Sequence, residues 1–219
     1  MRTKRKLVAF DMDGTLLEGS LIRQMAEKYG FGSGLDAIQK DHSLLGYQKT
    51  EKIAALLAGL GEQDVIETIA KMGMAKNWRS TTEELKSHGH VVGIISDSYT
   101  LACNYLREKM GLDFAVANTL ESGTGGVLTG KVLMPLGWQD IGCHCRISVC
   151  KRYHLEKMAR EFRVPLRDTV VVGDTVSDLC MIERAGLGIA LMPKDEILRE
   201  KSDMVIATHD LSKIIPLVL

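Results

Sequence analysis

The chain has 219 residues, 45% hydrophobic and 26% charged, and its 28 Lys and Arg are balanced by 28 Asp and Glu. That length allows one large domain or a domain carrying an insertion, and the composition excludes a mainly disordered chain. Zero formal net charge speaks against a general nucleic-acid binder, and no apolar run approaches the roughly 20 residues that span a bilayer.

The N-terminus carries Arg2, Lys4, Arg5 and Lys6, then the apolar run Leu7–Phe10, which Asp11 ends. A secretory signal needs a longer apolar stretch. The segment reads as a solvated leader into a first strand. The protein is expected to be cytoplasmic, with its five cysteines mostly reduced. From about Leu17 to about Gly73 no strand is evident. Leu21–Tyr29, Thr50–Leu60 and Asp64–Met72 read instead as amphipathic helices. Residues 17–73 are therefore expected to form a helical cap, and residues 1–16 and 74–219 the core.

Val91–Ile95 reads as a second strand, and Tyr99–Met110 as a helix that Gly111 caps. Asn118–Trp138 is rich in glycine, flanked by Val127-Leu128 and Val132-Leu133, and reads as a β-hairpin excursion. Lys151–Phe162 reads as a helix. Val170–Val172, Leu187–Leu191 and Met204–Ala207 read as further buried strands. Strands alternating with helices imply a doubly wound, mainly parallel α/β sheet covered on both faces.

The first strand runs into Asp11-Met12-Asp13-Gly14-Thr15, the second into Ser96-Asp97-Ser98, and the third into Gly173-Asp174-Thr175-Val176-Ser177-Asp178. Ligands of open α/β sheets bind beyond the carboxyl ends of the strands. Asp11, Asp13, Ser96, Asp174 and Asp178 should therefore converge on one crevice. Carboxylates gathered there repel unless a cation sits among them, and oxygen donors completed by water and phosphate favour Mg²⁺. Lys151, starting its helix, completes the charge balance. A metal, a lysine and a hydroxyl cradle a phosphoryl group. In an extended Asp11-x-Asp13, Met12 points to the opposite face, so both carboxylates can address one reacting centre. Which of them attacks stays open on this reading.

These motifs resemble the haloacid dehalogenase-like hydrolases, within them the phosphoserine phosphatase branch. Ile94-Ile95-Ser96, Ala117-Asn118-Thr119-Leu120 and Ala185-Gly186-Leu187-Gly188-Ile189-Ala190 extend the similarity over nearly the whole chain. The resemblance implies a Rossmann-like core, an Asp11 nucleophile that forms an aspartyl-phosphate, and Asp13 as acid and base. It implies Ser96 and Lys151 on the phosphoryl oxygens. It also implies Mg²⁺ on the Asp11 carboxylate, the Asp13 main-chain carbonyl and Asp174, with Asp178 orienting that shell.

Phosphoserine phosphatases grip their amino acid with a glutamate and an arginine from the cap. Here Ser20 stands where the glutamate is expected, with Glu18 close by. The arginine region offers Lys49 and Lys52 and no arginine, and lysine does not replace a bidentate clamp. Ser96-Asp97 and the cysteine-rich run Cys143–Lys151 also resemble phosphoethanolamine/phosphocholine phosphatases, in which case Asp97 would face a substrate amine. Its plainer reading is a helix N-terminal acid favoured by the macrodipole. Cys143, Cys145, Cys150 and His154 are either four zinc ligands or a reduced loop beside the site. Cys103 and Cys180 read as core.

The expectation is a Mg²⁺-dependent phosphomonoester hydrolase on a small phosphorylated metabolite, with neither nucleic acid nor membrane as partner and oligomeric state undetermined. Its rivals are phosphotransfer to an acceptor alcohol and a phosphoacceptor signalling domain.

Overall fold

The computed structural model describes residues 4–219. Arg2 of the basic N-terminus lies outside the described residues. Lys4 and Arg5 are exposed, as a solvated leader requires, and each of the next three cations also finds a partner. Lys4 pairs with Asp168 at 2.8 Å, and Arg5 and Lys6 donate to the carbonyls of Phe162 and Val218. Their long side chains reach acceptors on the body of the protein.

Strand β1 (Leu7–Phe10) leads into helices α1 (Leu21–Tyr29), α2 (Gly32–Lys40), α3 (Gly46–Ala55) and α4 (Glu62–Lys71). There follow α5 (Trp78–Ser87), β2 (Val91–Tyr99), α6 (Thr100–Met110), β3 (Phe114–Ser122) and β4 (Leu128–Leu133). The remainder is α7 (Trp138–Ile141), α8 (Lys151–Glu161), β5 (Thr169–Gly173), α9 (Leu179–Ile182), β6 (Leu187–Leu191), α10 (Glu196–Lys201), β7 (Met204–Ile206) and α11 (Ile215–Val218).

The seven strands form one sheet in the order β4-β3-β2-β1-β5-β6-β7. Neighbours are parallel except β3 and β4. Side chains alternate across a strand, so β1 feeds two cores. Val8 and Phe10 join the apolar layer that includes Leu85 of α5 and Leu106 of α6. Leu7 and Ala9 join the layer of Leu155 and Met158 from α8 with Leu198 from α10. This is the expected doubly wound α/β fold. Among the described residues no helix is long and apolar enough to cross a membrane.

Several elements differ from the sequence expectation. The expected helix Thr50–Leu60 is α3, which starts at Gly46 and stops at Ala55. Residues 56–59 form turns that bring Gly59 and Leu60 against Leu128 of β4. Helices α2 and α5 were not anticipated. Gly32-Ser33-Gly34 opens α2 with poor helix formers. The inward face of α5 is Thr81, Thr82 and Leu85, too polar to show as an apolar stripe. The excursion is a hairpin, but its arms are not the two Val-Leu pairs. Leu128 and Leu133 lie at the two ends of one strand, β4. Its partner is β3, which runs parallel to β2 before pairing antiparallel with β4.

The helical stretch between β1 and α5 leaves and rejoins the sheet at one point. Glu18 N–H donates to Gly73 O at 2.8 Å and Ala75 N–H to Leu16 O at 2.9 Å. Within the stretch α1 packs on α2 and α4, and α2 on α3. Outside it, α3 packs on β4 and α4 on α6.

Candidate active site

Three strand ends build the site. Beyond β1, Met12 turns into the core, its Sδ 3.6 Å from Cys103 Sγ, which leaves Asp11 and Asp13 on the other side. Gly14 then takes φ +79°, and a Cβ there would overlap the Asp174 carboxylate. Strand β2 extends past the expected end to Tyr99, but its pairing with β1 stops at Ile94. Its register with β3 shifts between Ile95 and Tyr99. Such an irregularity re-aims side chains, here Ser96, Asp97 and Ser98. Beyond β5, Asp174 follows Gly173, and Asp178 folds back beneath it. Asp178 Oδ2 accepts the N–H groups of Asp174 at 2.9 Å and Thr175 at 3.1 Å.

Gly14→Ala tests the close approach. The substitution combines a left-handed backbone with an overlap on a fixed carboxylate, so it is expected to destabilise the fold by about 1–3 kcal/mol. Any kcat/KM of the site should also drop at least roughly tenfold, because displacing Asp174 disturbs the carboxylates beside it. An alanine variant that matches the parent in urea melts and in rate would contradict this packing.

The carboxylates of Asp11, Asp174 and Asp178 lie within 4.8 Å of one another, all buried. Lys151 enters this group from the start of α8 with no exposed surface. Its Nζ is 2.7 Å from Asp11 Oδ1 and 2.6 Å from Asp178 Oδ1. Burial alone would strip its proton. The carboxylates of Asp11, Asp178 and Asp97 outweigh that and hold Lys151 charged, above the usual lysine range. Burial pushes Asp178 up to about 7 against the pull of Lys151. Asp174 is raised by burial and by Asp11, while Lys194 opposes the rise. Asp13 is pushed up to about 7, chiefly by desolvation, although it accepts the Leu21 N–H at 2.5 Å. Asp97 is also raised by burial.

A cavity of about 330 Å³ opens beside this cluster. Asp11, Asp13 and Asp97 line it, as do Thr175 and Ser177 from the loop after β5. The helical insertion contributes Ser20, Ile22, Gln39, Thr50 and Ile53. Ser96 and Lys151 are fully buried and lie outside the lining. Ser96 Oγ accepts the Ser98 N–H at 3.2 Å. Of the selectivity candidates, Ser20 and Asp97 reach the cavity, and Glu18, Lys49 and Lys52 do not. Thr50 and Ile53 share one face of α3 at i,i+3, so the positions just before them are turned away. Lys49 Nζ accordingly donates to Gln39 O at 2.7 Å, and Lys52 is exposed. Glu18 is exposed and packs over Gly73.

Lys194 was missed. It lines the cavity, with Nζ 2.5 Å from Asp174 Oδ2. The available signal was its place soon after the strand Leu187–Leu191, on the same sheet edge as the carboxylates. Asn118 was quoted only within a motif. Its Nδ2 donates to Asp97 O at 2.6 Å and to Ser148 Oγ at 2.9 Å.

A family model described as haloacid dehalogenase-like hydrolase matches residues 8–183. The chain belongs to that family, and it is a phosphatase. It is 34% identical to a phosphoserine phosphatase of Methanocaldococcus jannaschii, over 98% of either chain. It superposes with a TM-score of 0.84 on a phospho-aspartyl intermediate analogue of phosphoserine phosphatase, at 34% identity, covering 99% of this chain and all of that one. A substrate-bound phosphoserine phosphatase complex gives the same TM-score of 0.84 at 33% identity, over 99% and 100% of the two chains.

Proposed function

We propose that the chain is a Mg²⁺-dependent phosphomonoesterase that works through an aspartyl-phosphate on a small phosphorylated metabolite of the phosphoserine type. The observation that supports it most is the buried group of Asp11, Asp174 and Asp178 around the Lys151 ammonium. A small divalent cation suits this donor set. Buried carboxylate oxygens of Asp11, Asp174 and Asp178 lie within 4.8 Å of one another, and every carboxylate there offers hard oxygen. Asp11, the Asp13 carbonyl and Asp174 would hold the ion. Asp178, with both oxygens already engaged, would orient them. When bound, Mg²⁺ offsets the charge of the carboxylates and of the phosphoryl oxygens.

In this reading Asp11 attacks phosphorus while Asp13 protonates the departing oxygen. Asp13 then takes a proton from the water that attacks the phosphoenzyme. Its raised position suits a group that must carry a proton in one step and accept one in the next. Lys151 and Ser96 neutralise and position the phosphoryl oxygens. Residues 17–73 act as a cap over the core formed by 1–16 and 74–219, placing Ser20, Ile22, Gln39, Thr50 and Ile53 over the substrate and excluding water. The five free thiols suit a reducing, cytoplasmic setting.

The cavity wall also favours an amine on the substrate. Asp97 is its unpartnered carboxylate from β2, and the insertion lines it with no cation. Phosphoethanolamine-type substrates are therefore the second reading. The deciding experiment is phosphate release from phosphoserine, phosphoethanolamine and a neutral phosphate ester, with Mg²⁺ and with EDTA. Chelation should stop release and Mg²⁺ restore it. Asp97→Ala should lower kcat/KM roughly 10-fold or more for the amines and less for the neutral ester. Equal losses would remove Asp97 from recognition, and no release from any phosphate ester would overturn the proposal.

A further inference from the structure

Away from the cavity, the fold gathers four cysteines that the phosphatase reading leaves unused. Cys143, Cys145 and Cys150 come from the loop between α7 and α8, and Cys180 from α9. Their four Sγ atoms all lie within 4.8 Å of one another. Cys143, Cys150 and Cys180 are buried, and Trp138, Ile141 and Tyr153 pack around the group. We propose that Cys143, Cys145, Cys150 and Cys180 bind one structural Zn²⁺ as a tetrathiolate.

The geometry carries the assignment. Four sulfurs at about 2.3 Å from a tetrahedral zinc lie a little under 4 Å apart, which the observed spacing accommodates with little movement. Four mutually close thiols do not divide naturally into two disulfide pairs, and all of them are free. Thiolate sulfur selects zinc over the hard cation of the carboxylate site. The surroundings suit a tetrathiolate dianion, because backbone N–H groups of Ile147, Tyr153 and Arg152 reach Cys145, Cys150 and Cys180. Between the ligands, Arg146 holds a left-handed φ of 53°, a conformation that persists where the surroundings fix it. Binding releases one proton from each coordinating thiol.

This ligand set corrects the sequence expectation in one place. His154 is not the fourth ligand. Its Nε2 lies 3.1 Å from Leu136 O, and Cys180 closes the group. No spacing rule pointed to Cys180, which is far along the chain and sits among apolar neighbours. The site joins two segments of the active site. Cys150 precedes Lys151, Cys180 follows Asp178 by two positions, and Lys151 and Asp178 meet at 2.6 Å. An ion on these sulfurs ties the start of α8 to the start of α9 immediately behind that contact.

The test is elemental analysis of the full chain, expressed with added Zn²⁺ and purified without chelator. About one zinc per chain is expected. Cys180→Ser and Cys145→Ser should lose it, while His154→Ala, Cys103→Ser and Asp174→Asn should keep it. A serine variant that fails to fold is bypassed by replacing zinc with Co²⁺ in the unmodified protein. Sulfur-to-cobalt charge transfer and tetrahedral ligand-field bands are then expected, with the four thiols shielded from a thiol reagent until the metal is chelated. Unmodified protein that carries no zinc, takes up no Co²⁺ and exposes all its thiols would overturn the proposal. So would zinc that survives Cys180→Ser and disappears in His154→Ala.

Discussion

Asp11→Asn is expected to abolish turnover and the acid-trapped phosphoenzyme together. An amide cannot supply the attacking carboxylate electrons, and losing a covalent nucleophile costs on the order of 10⁴–10⁶ in rate. The shape of the site should survive, because Asn is nearly isosteric and Lys151 keeps its contact with Asp178. Asp13→Asn should behave differently. Attack still occurs without the acid, so each step slows by roughly 10²–10⁴-fold and the phosphoenzyme stays detectable. Quench-flow trapping with a radiolabelled phosphate ester separates the two variants. Phosphoenzyme formation in Asp11→Asn at the parent rate would move the nucleophile elsewhere.

The second large effect is on stability. Lys151 is fully buried between Asp11 and Asp178. Lys151→Met keeps most of the volume and removes the charge, stranding the Asp11 and Asp178 carboxylates, while Asp174 keeps Lys194 at 2.5 Å. Breaking a buried ion pair from one side costs about 3–5 kcal/mol. In EDTA, the urea midpoint of Lys151→Met should fall accordingly. Mg²⁺ should recover part of the loss, since binding to the folded state alone stabilises it, while phosphatase activity stays very low. A variant as stable as the parent in EDTA would mean that the carboxylates take up protons instead. Lys151→Met combined with Asp178→Asn should lie between parent and single variant, because one of the stranded charges is gone.

The gathering of the carboxylates was legible in the sequence because its signal is local. Each carboxylate follows a short apolar strand, and the strand pattern fixes which edge it occupies. Asp11, Asp13, Asp174 and Asp178 could therefore be grouped before any coordinates. Lys194 and Cys180 escaped because what makes them notable is the company the tertiary fold gives them. Neither spacing nor periodicity records that. Lys49 and Lys52 were chosen as the cations of the region where the resemblance expects an arginine, and a one-residue rotation on α3 gives the cavity to Thr50 and Ile53 instead. Strand β3 was obscured for a related reason. Its first half lies in a parallel sheet and its second half in a hairpin, so no single alternation runs through it. Helix α5 hides its inward face behind threonines.

The paired backbone rungs at Leu16–Glu18 and Gly73–Ala75 bear on how the chain reaches its native topology. Strand β1 must find β2 across a long separation: Lys6 N–H meets the His90 ring 84 residues away. Long loops make such pairings slow, because their entropy is lost before contacts compensate. If the four helices between Leu17 and Met74 gather first and those rungs zip, the open loop shrinks to roughly a third of its length. That relieves about 1 kcal/mol of closure entropy. The order in which the sheet assembles is thereby tied to a segment that contributes no strand to it. Lengthening or shortening the helical segment within those rungs leaves the distance that β1 must search largely unchanged. Such a chain can exchange the walls of the cavity beside its carboxylates while its strands meet at nearly the same rate.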